Sequence, residues 1–510
     1  MPVNVVFAIE SVKFLFLMVR QRFFSTNVPL YLAFAAIVIG TRFLIVAVYG
    51  NAIPYLDQWD AELDQLFRPW VEGTLHWQDL LAPHNEHRVF TGRVLALLLF
   101  LLNGRVLDSM LEMAANAVLL TGTLTILLHG ILNMFPESGT RLAITIFATL
   151  FLSMPLGVEN ILTNNSSLYF LLLFSYLAML ALSRRGQDSW GWDLLVVAST
   201  ALSCLSFASG ALTAVVGVAF LGIQWVTGVQ RSRSTVVLIC LLAMMVTAAV
   251  LLTPTISGHA QLRSKSILGF IISLLRMTGG LVIYTPSAVF MVRQLQRKPG
   301  SSDPSWFLFA LCLWVYGQML VIAYGRGDSN VLTSRYLDLY TGGIMANLAA
   351  ILLNMRDKGL KWTSLPLNAW LLAICIGIGV FLPQIAGELK KKSVDRVACE
   401  TMLKTYFSSH DPRALDNPNI RILYPDPGRL KSLLDEKTIR SFMPTSLRSP
   451  DHGASGSTGD SLKASMFFAG SLLSGTGVGF ILLSLFKICN CRNGSSVLTS
   501  KEHSCGRFSE

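Results

Sequence analysis

Residues 28–49 read VPLYLAFAAIVIGTRFLIVAVY, twenty-two positions among which Arg42 is the one charge. At about 1.5 Å per residue a helix of this length covers the roughly 30 Å hydrocarbon core of a bilayer. A soluble helix has no use for apolar residues on every side, so the stretch decides for a membrane span. Working outward, further apolar runs lie at 89–102, 111–134, 141–158, 167–183, 193–208, 211–227, 235–252, 267–290, 305–324, 339–355, 366–386 and 463–487. Across its 510 residues the chain is 52% hydrophobic and 14% charged, with a mean hydropathy of +0.54. A soluble chain carries nearer a quarter charged residues. The sequence predicts an all-α, polytopic integral membrane protein with about twelve to thirteen transmembrane helices.

In such a chain the formal charge of +11 is read through loop topology rather than as nucleic-acid affinity. Lys and Arg cluster at 13–22, 184–185, 231–233, 293–298, 356–361 and 487–492, which places those connections inside. The acidic first loop and the connections at 253–266, 325–338 and 387–462 then face outward. Parity fails once. The first loop and Glu159 both belong outside, yet three apolar runs separate them, so one of 89–102, 111–134 or 141–158 does not span. Residues 1–28 read as an interfacial N-terminal helix on the inner side, because Glu10 and Lys13 break any secretory signal. A transmembrane domain covers 28–386. Residues 387–462 form a small outer segment ending in a flexible linker over 446–461, followed by a last span at 463–487 and an inner tail at 488–510. That span carries Gly470-x-x-x-Ser474 and Gly475-x-x-x-Gly479, patterns that let helices approach closely. The eight cysteines are scattered, in the manner of apolar filler.

The polar chemistry concentrates in the first loop, 51–88, whose predicted structure is helical. It holds seven carboxylates (Asp57, Asp60, Glu62, Asp64, Glu72, Asp79, Glu86) against two arginines, Arg68 and Arg88. Asp57 and Asp60 lie just past the lipid boundary, with Pro54, Tyr55 and Trp59 as interface anchors. Partial desolvation there raises a carboxyl pKa and suits it as a base toward a hydroxyl. Two other readings are a divalent cation held by the pair and a solvated turn capping the next helix. His84-Asn-Glu-His-Arg88 closes the loop; as a helix it would align His84, His87 and Arg88 on one face, with Glu86 as a metal ligand or part of a polar network. A guanidinium such as Arg88 matches phosphate oxygens.

Arg326, Arg335 and Tyr336 fall in an outward connection, where arginine is disfavoured without an anionic partner. That partner is either the acidic loop or a lipid phosphate. Glu159 and Asn160 suit sugar hydroxyls or helix ends. Arg42 and Arg276 sit within apolar runs, where long stems let the charge snorkel. Asn-x-Ser sequons at Asn164, Asn165 and Asn493 are too common to prove glycosylation.

An Asp-x-x-Asp opening the first outer loop (Asp57, Asp60), a His84-Asn-Glu-His-Arg88 at its end and a late Ser334-Arg-Tyr336 together resemble GT-C-type membrane glycosyltransferases. The similarity is to bacterial relatives of protein O-mannosyltransferases, aminoarabinose transferases and O-antigen-modifying glucosyltransferases. It spans residues 28–360 in layout and some twenty residues in motif. The resemblance implies a polyprenyl-phosphate-linked sugar as donor, with a hexose or pentose moved to a hydroxyl of a glycan, lipid or protein in cell-envelope or lipopolysaccharide synthesis. The site would lie on the periplasmic face of a bacterial inner membrane. It implies Asp57 as the catalytic carboxylate, with Asp60 as alternate. Arg88, Arg326, Arg335 and Tyr336 would hold donor phosphate, and His84, Glu86, His87, Glu159 and Asn160 would support the substrate. If a divalent cation (Mg or Mn) takes part, Asp57, Asp60 and Glu86 are its ligands. Competing readings are a transporter or flippase for lipid-linked glycans, which would place its charges at the bilayer midplane, and a polymerase or ligase acting on such glycans.

Overall fold

The structure is a computed structural model. It describes residues 27–163, 165–185, 190–254, 261–279, 282–327, 331–359, 364–415, 420–444, 447 and 458–502, with side chains of the last stretch over 461–486. The N-terminal helix expected ahead of residue 27, Asn164, residues 446 and 448–457 of the linker and the tail beyond 502 lie outside the described residues. The described secondary structure is helical, with no strand. The main helices are α1 (Val28–Tyr49), α2 (Phe90–Leu102), α3 (Ser109–Leu132), α4 (Ser138–Leu152), α5 (Ser166–Arg184), α6 (Trp190–Ser206), α7 (Ala211–Thr227), α8 (Arg233–Leu252), α9 (Ile267–Met277), α10 (Thr285–Arg297), α11 (Ser305–Gly325), α12 (Ser334–Asp357), α13 (Leu365–Ser409) and α14 (Thr458–Glu502). Nine of the described helices are long and apolar enough to cross a bilayer; α2, α4, α6 and α9 are apolar but shorter.

Contacts at helix ends resolve the parity problem. The Ser109 N–H at the start of α3 donates to the Ala52 carbonyl just past α1 (3.2 Å), and His129 near its end meets Tyr31 at the start of α1 (3.1 Å). So α3 runs antiparallel to α1 along the whole bundle. Helix α4 returns: Arg141 reaches Asn27 (3.3 Å), and the Leu152 carbonyl accepts from Arg42 (3.1 Å). The run at 89–102 is the one that does not cross. Leu107, just beyond α2, donates its N–H to Phe442 in the C-terminal segment (2.8 Å), on the face where α2 began. Lying along that face, α2 buries Thr91, Gly92, Ala96 and Phe100 and exposes Val94, Leu98 and Leu102, the pattern of an interfacial helix.

Two spans depart from expectation. The run 267–290 is two helices, α9 and α10. Gly279 adopts φ +58°, open to glycine at little steric cost, and Pro286 occupies the first turn of α10, where a missing N–H costs nothing. Conversely, residues 387–409 are no separate outer segment but the continuation of α13, whose 45 residues make a rod of roughly 67 Å. Arg42 does not snorkel: it is buried and donates to the carbonyls of Leu152 and Met154 (3.1 Å each), satisfying a helix end.

Helix α14 packs antiparallel on α1. A Cβ on Gly40 would lie 2.7 Å from the Gly470 carbonyl, and one on Gly477 2.8 Å from that of Ala33, so Gly470, Ser474 and Gly477 form the close seam. Gly475 and Gly479 face open space. The bundle core is built from α3, α5, α7, α11 and α12 around Trp306, Trp314, Tyr176 and Phe220. A second core sits at one end. There Trp59, Leu63 and Phe67 of the first loop, Phe100 of α2, and Leu403 and Tyr406 of α13 pack with Leu423, Leu430, Leu434 and Phe442. Trp59 is fully buried in this cap, not an interface anchor. The first loop and the C-terminal segment therefore share one interior, above the end of the bundle where the polar residues gather.

Candidate active site

Asp57 owes its place to the backbone on either side. Leu56 is left-handed (φ +48°), a conformation non-glycine residues rarely adopt, and its N–H donates to the Leu423 carbonyl of the cap (2.9 Å). Gln58 accepts from the Tyr55 N–H (3.0 Å) and donates to Glu62 (2.9 Å), fixing the turn that leads into wide π-type helical turns over Trp59–Phe67. The Tyr55 ring is held by two cations of α13, Lys392 and Arg396, 5.5 and 5.2 Å from its centroid. Asp57 thereby projects into a cleft of about 230 Å³, with 78% of its side chain exposed. Its pKa moves opposite to the sequence expectation. The His84 imidazole, its Nε2 3.6 Å from Oδ2, holds the carboxyl below the usual range and outweighs the desolvation imposed by the cleft walls. Asp57 is ionised at neutral pH.

The His84–Arg88 stretch is a tight turn, not a helix. His84 and His87 exchange backbone hydrogen bonds (2.8 and 3.0 Å), and Asn85 takes φ +50°, a region asparagine tolerates better than most. Both histidines line the cleft. His87 stacks on Phe207 (centroids 3.9 Å apart), and its Nδ1 accepts the Ala208 N–H (3.2 Å), which leaves the ring proton on Nε2. Burial pushes its pKa down to about 4, so it is neutral at pH 7.

Opposite Asp57 the cleft is lined by Arg326, Arg335, Tyr336 and Glu159. Arg335 meets Glu159 through two guanidinium nitrogens, one at 3.2 Å, while about half of its side chain stays exposed. Arg326 pairs with Glu86 (3.2 Å), so one outward arginine does bind the acidic loop. Asn160 is buried beside the cleft wall, donating to the Arg335 carbonyl (2.9 Å) and to Asp338 (2.8 Å) while accepting from Asn165 (2.9 Å). It supports the wall and does not reach the cavity.

Three sequence assignments move. Asp60 lies outside the cleft: it accepts from Tyr424 and faces Arg429 (3.5 Å), tying the cap to the loop. Arg88 gives its guanidinium to the carbonyls of Leu81 (2.8 Å) and Leu252 (2.9 Å) and does not line the cleft. Asp57, Asp60 and Glu86 thus serve three different contacts, and among the described residues no three His, Cys, Asp or Glu side chains are grouped to hold a metal ion. Sequence reasoning assigned no site role to Glu62, Arg93 and Phe207, which also line the cleft. Arg93 was legible as a charge one turn inside an apolar helix; it donates to the Asp79 carbonyl (2.9 Å) and to Gln65 (3.1 Å), clamping the loop onto α2. Nothing local marked Phe207.

The fold and cleft define the class: an all-helical integral membrane protein with a polar cleft at one end of its bundle. No family model matches the chain, and no curated protein matches it. Among solved structures it is similar to an archaeal oligosaccharyltransferase, AglB from Archaeoglobus fulgidus, in complex with an inhibitory peptide and a dolichol-phosphate. The identity is 10% and the TM-score 0.44, over 76% of this chain and 59% of that one. The chain therefore spans less than two thirds of that structure's length.

Proposed function

We propose that the protein is a membrane glycosyltransferase that moves one sugar from a polyprenyl-phosphate donor to an acceptor hydroxyl. We place the cleft on the periplasmic side of a bacterial inner membrane, because the Lys- and Arg-rich connections gather at the opposite helix ends. One observation carries the reading: Asp57, ionised and open to water, shares a cleft with Arg326 and Arg335, which come from distant parts of the chain. A carboxylate facing guanidinium groups suits a reaction that removes a proton at one point and develops phosphate charge at another. The volume of about 230 Å³ lies below the roughly 300–1,000 Å³ of drug-sized sites, which favours a single sugar with its phosphate.

In the proposed step the acceptor oxygen attacks the anomeric carbon while its proton passes to Asp57. The bond from that carbon to the phosphate oxygen breaks, and the electron pair stays with the phosphate. Arg335 and Arg326 stabilise the growing negative charge. Glu159 orients Arg335, and His84 orients Asp57. A carboxyl with a low pKa is a weak base toward a resting hydroxyl, but the hydroxyl acidifies as its oxygen bonds to carbon, so transfer late in the step suffices. A single displacement inverts the anomeric centre.

The test is Asp57→Asn, purified and incubated with polyprenyl-phosphate sugar and acceptor. Release of polyprenyl phosphate should fall by about 10³-fold or more, on the scale of losing an essential general base, with expression and thermal unfolding unchanged. Transfer near the wild-type rate by this variant would overturn the assignment.

A further inference from the structure

We propose that a second groove, at the opposite end of the bundle, binds an anionic phospholipid. It lies between α10, α12 and α13 and encloses about 340 Å³. Its walls include Val289, Ile351, Met355 and Trp370, and its mouth carries Arg293 and Lys358. Arg335 in the cleft and Lys358 are 23 residues apart on one helical rise, about 35 Å, so the two sites are separate.

The occupant follows from the chemistry of each part. The Trp370 indole N–H already donates to the Ile283 carbonyl (3.0 Å), so what remains for the groove is apolar. Arg293 is steadied at the mouth by a hydrogen bond to Asn354 (2.9 Å). Lys358 is exposed and has no ion-pair partner among the described residues. The carboxylate next to it in sequence, Asp357, is paired with Arg297 (2.6 Å). Two positive charges therefore stand over an apolar slot, and α13 begins at the same end, adding the positive end of its dipole. An acyl chain fits the slot, and the phosphate of an anionic headgroup fits the mouth. Basic helix ends also favour the cytoplasmic leaflet, where anionic lipids collect. The groove needs no transfer reaction, so this inference stands apart from the one above.

The full-length protein, delipidated in detergent, is titrated with phosphatidylglycerol or phosphatidylcholine, and bound lipids are counted by native mass spectrometry. One phosphatidylglycerol should bind about twenty-five-fold more tightly than phosphatidylcholine, from roughly five-fold for each of two basic residues near an anionic group. In Arg293→Gln/Lys358→Gln that preference should vanish. Ala369→Phe, which fills the groove, should remove binding of both lipids. Equal affinity for the two lipids, or a preference unchanged in the charge variant, overturns the proposal. Both charge substitutions lie at the mouth, and a thermal unfolding curve confirms that the variant remains folded.

Discussion

His87 makes acidification a measurable perturbation. Its imidazole is stacked on Phe207 and accepts the Ala208 N–H, and its pKa is pushed down to about 4 from the ordinary 6.5. A histidine whose folded pKa is depressed is neutral in the native state, while the unfolded chain takes up a proton below pH 6.5. Stability is therefore full above about pH 7 and falls as pH drops from 6.5 toward 4. With these two values the loss is roughly 2 kcal/mol at pH 5 and about 3 kcal/mol at pH 4, levelling off below. Protonation would also place an N–H where Nδ1 now accepts one and set a new charge near Arg326. The site pKa is read by histidine hydrogen–deuterium exchange with mass spectrometry, and stability by thermal unfolding between pH 7.5 and 4.5. His87→Asn, whose side-chain oxygen can take over the Nδ1 contact, should flatten this component of the pH dependence. A His87 that titrates near 6.5, or identical pH–stability slopes in wild type and variant, would refute the reasoning.

Other expectations separate residues that resemble one another in sequence. Arg335→Gln or Arg326→Gln should lower kcat/KM by about 10²-fold or more, whereas Arg88→Gln, which lies outside the cleft, should leave turnover nearly unchanged in the same steady-state assay. Asp60→Ala should cost about 1–3 kcal/mol by removing the charged acceptor of Tyr424; proteolysis of the C-terminal segment should speed up, in contrast to the stable but inactive Asp57→Asn. Gly40→Val should destabilise by about 1–3 kcal/mol through overpacking against Gly470, measured by thermal unfolding. Gly479→Val, facing open space, should be silent.

The spans were legible because a bilayer forces a length on every apolar run. Residues 28–49, 305–324 and 339–355 needed no tertiary information to be found. Parity even showed that one of three runs fails to cross, but choosing α2 required its contact with Phe442, which no local pattern encodes. Asp57 and Asp60 show the same limit at the site. Asp57 lies in the turn just before the wide helical turns that carry Asp60, and Tyr424 and Arg429 claim Asp60 and leave Asp57 to the cleft. Trp59 reads as an interface anchor by composition and becomes core only because the cap closes over it. The helical option for His84–Arg88 fails at a left-handed Asn85, a backbone choice that residue spacing does not encode. Arg326 and Arg335 were legible for a sounder reason, since a cation on the disfavoured side of a membrane implies something negative for it to meet.

The hydrogen bond from Leu56 to Leu423 has a consequence for how the molecule comes into being. The ribosome makes the acidic loop early and the residue that pins it some 370 positions later, a wait of roughly 20–70 s at about 5–20 residues per second. Through that interval most of the bundle can already sit in the lipid while Leu56 lacks the tether that forces its unusual backbone. The loop lacks its partner for that long, and its backbone is fixed only once Leu423 has been made and folded down onto it.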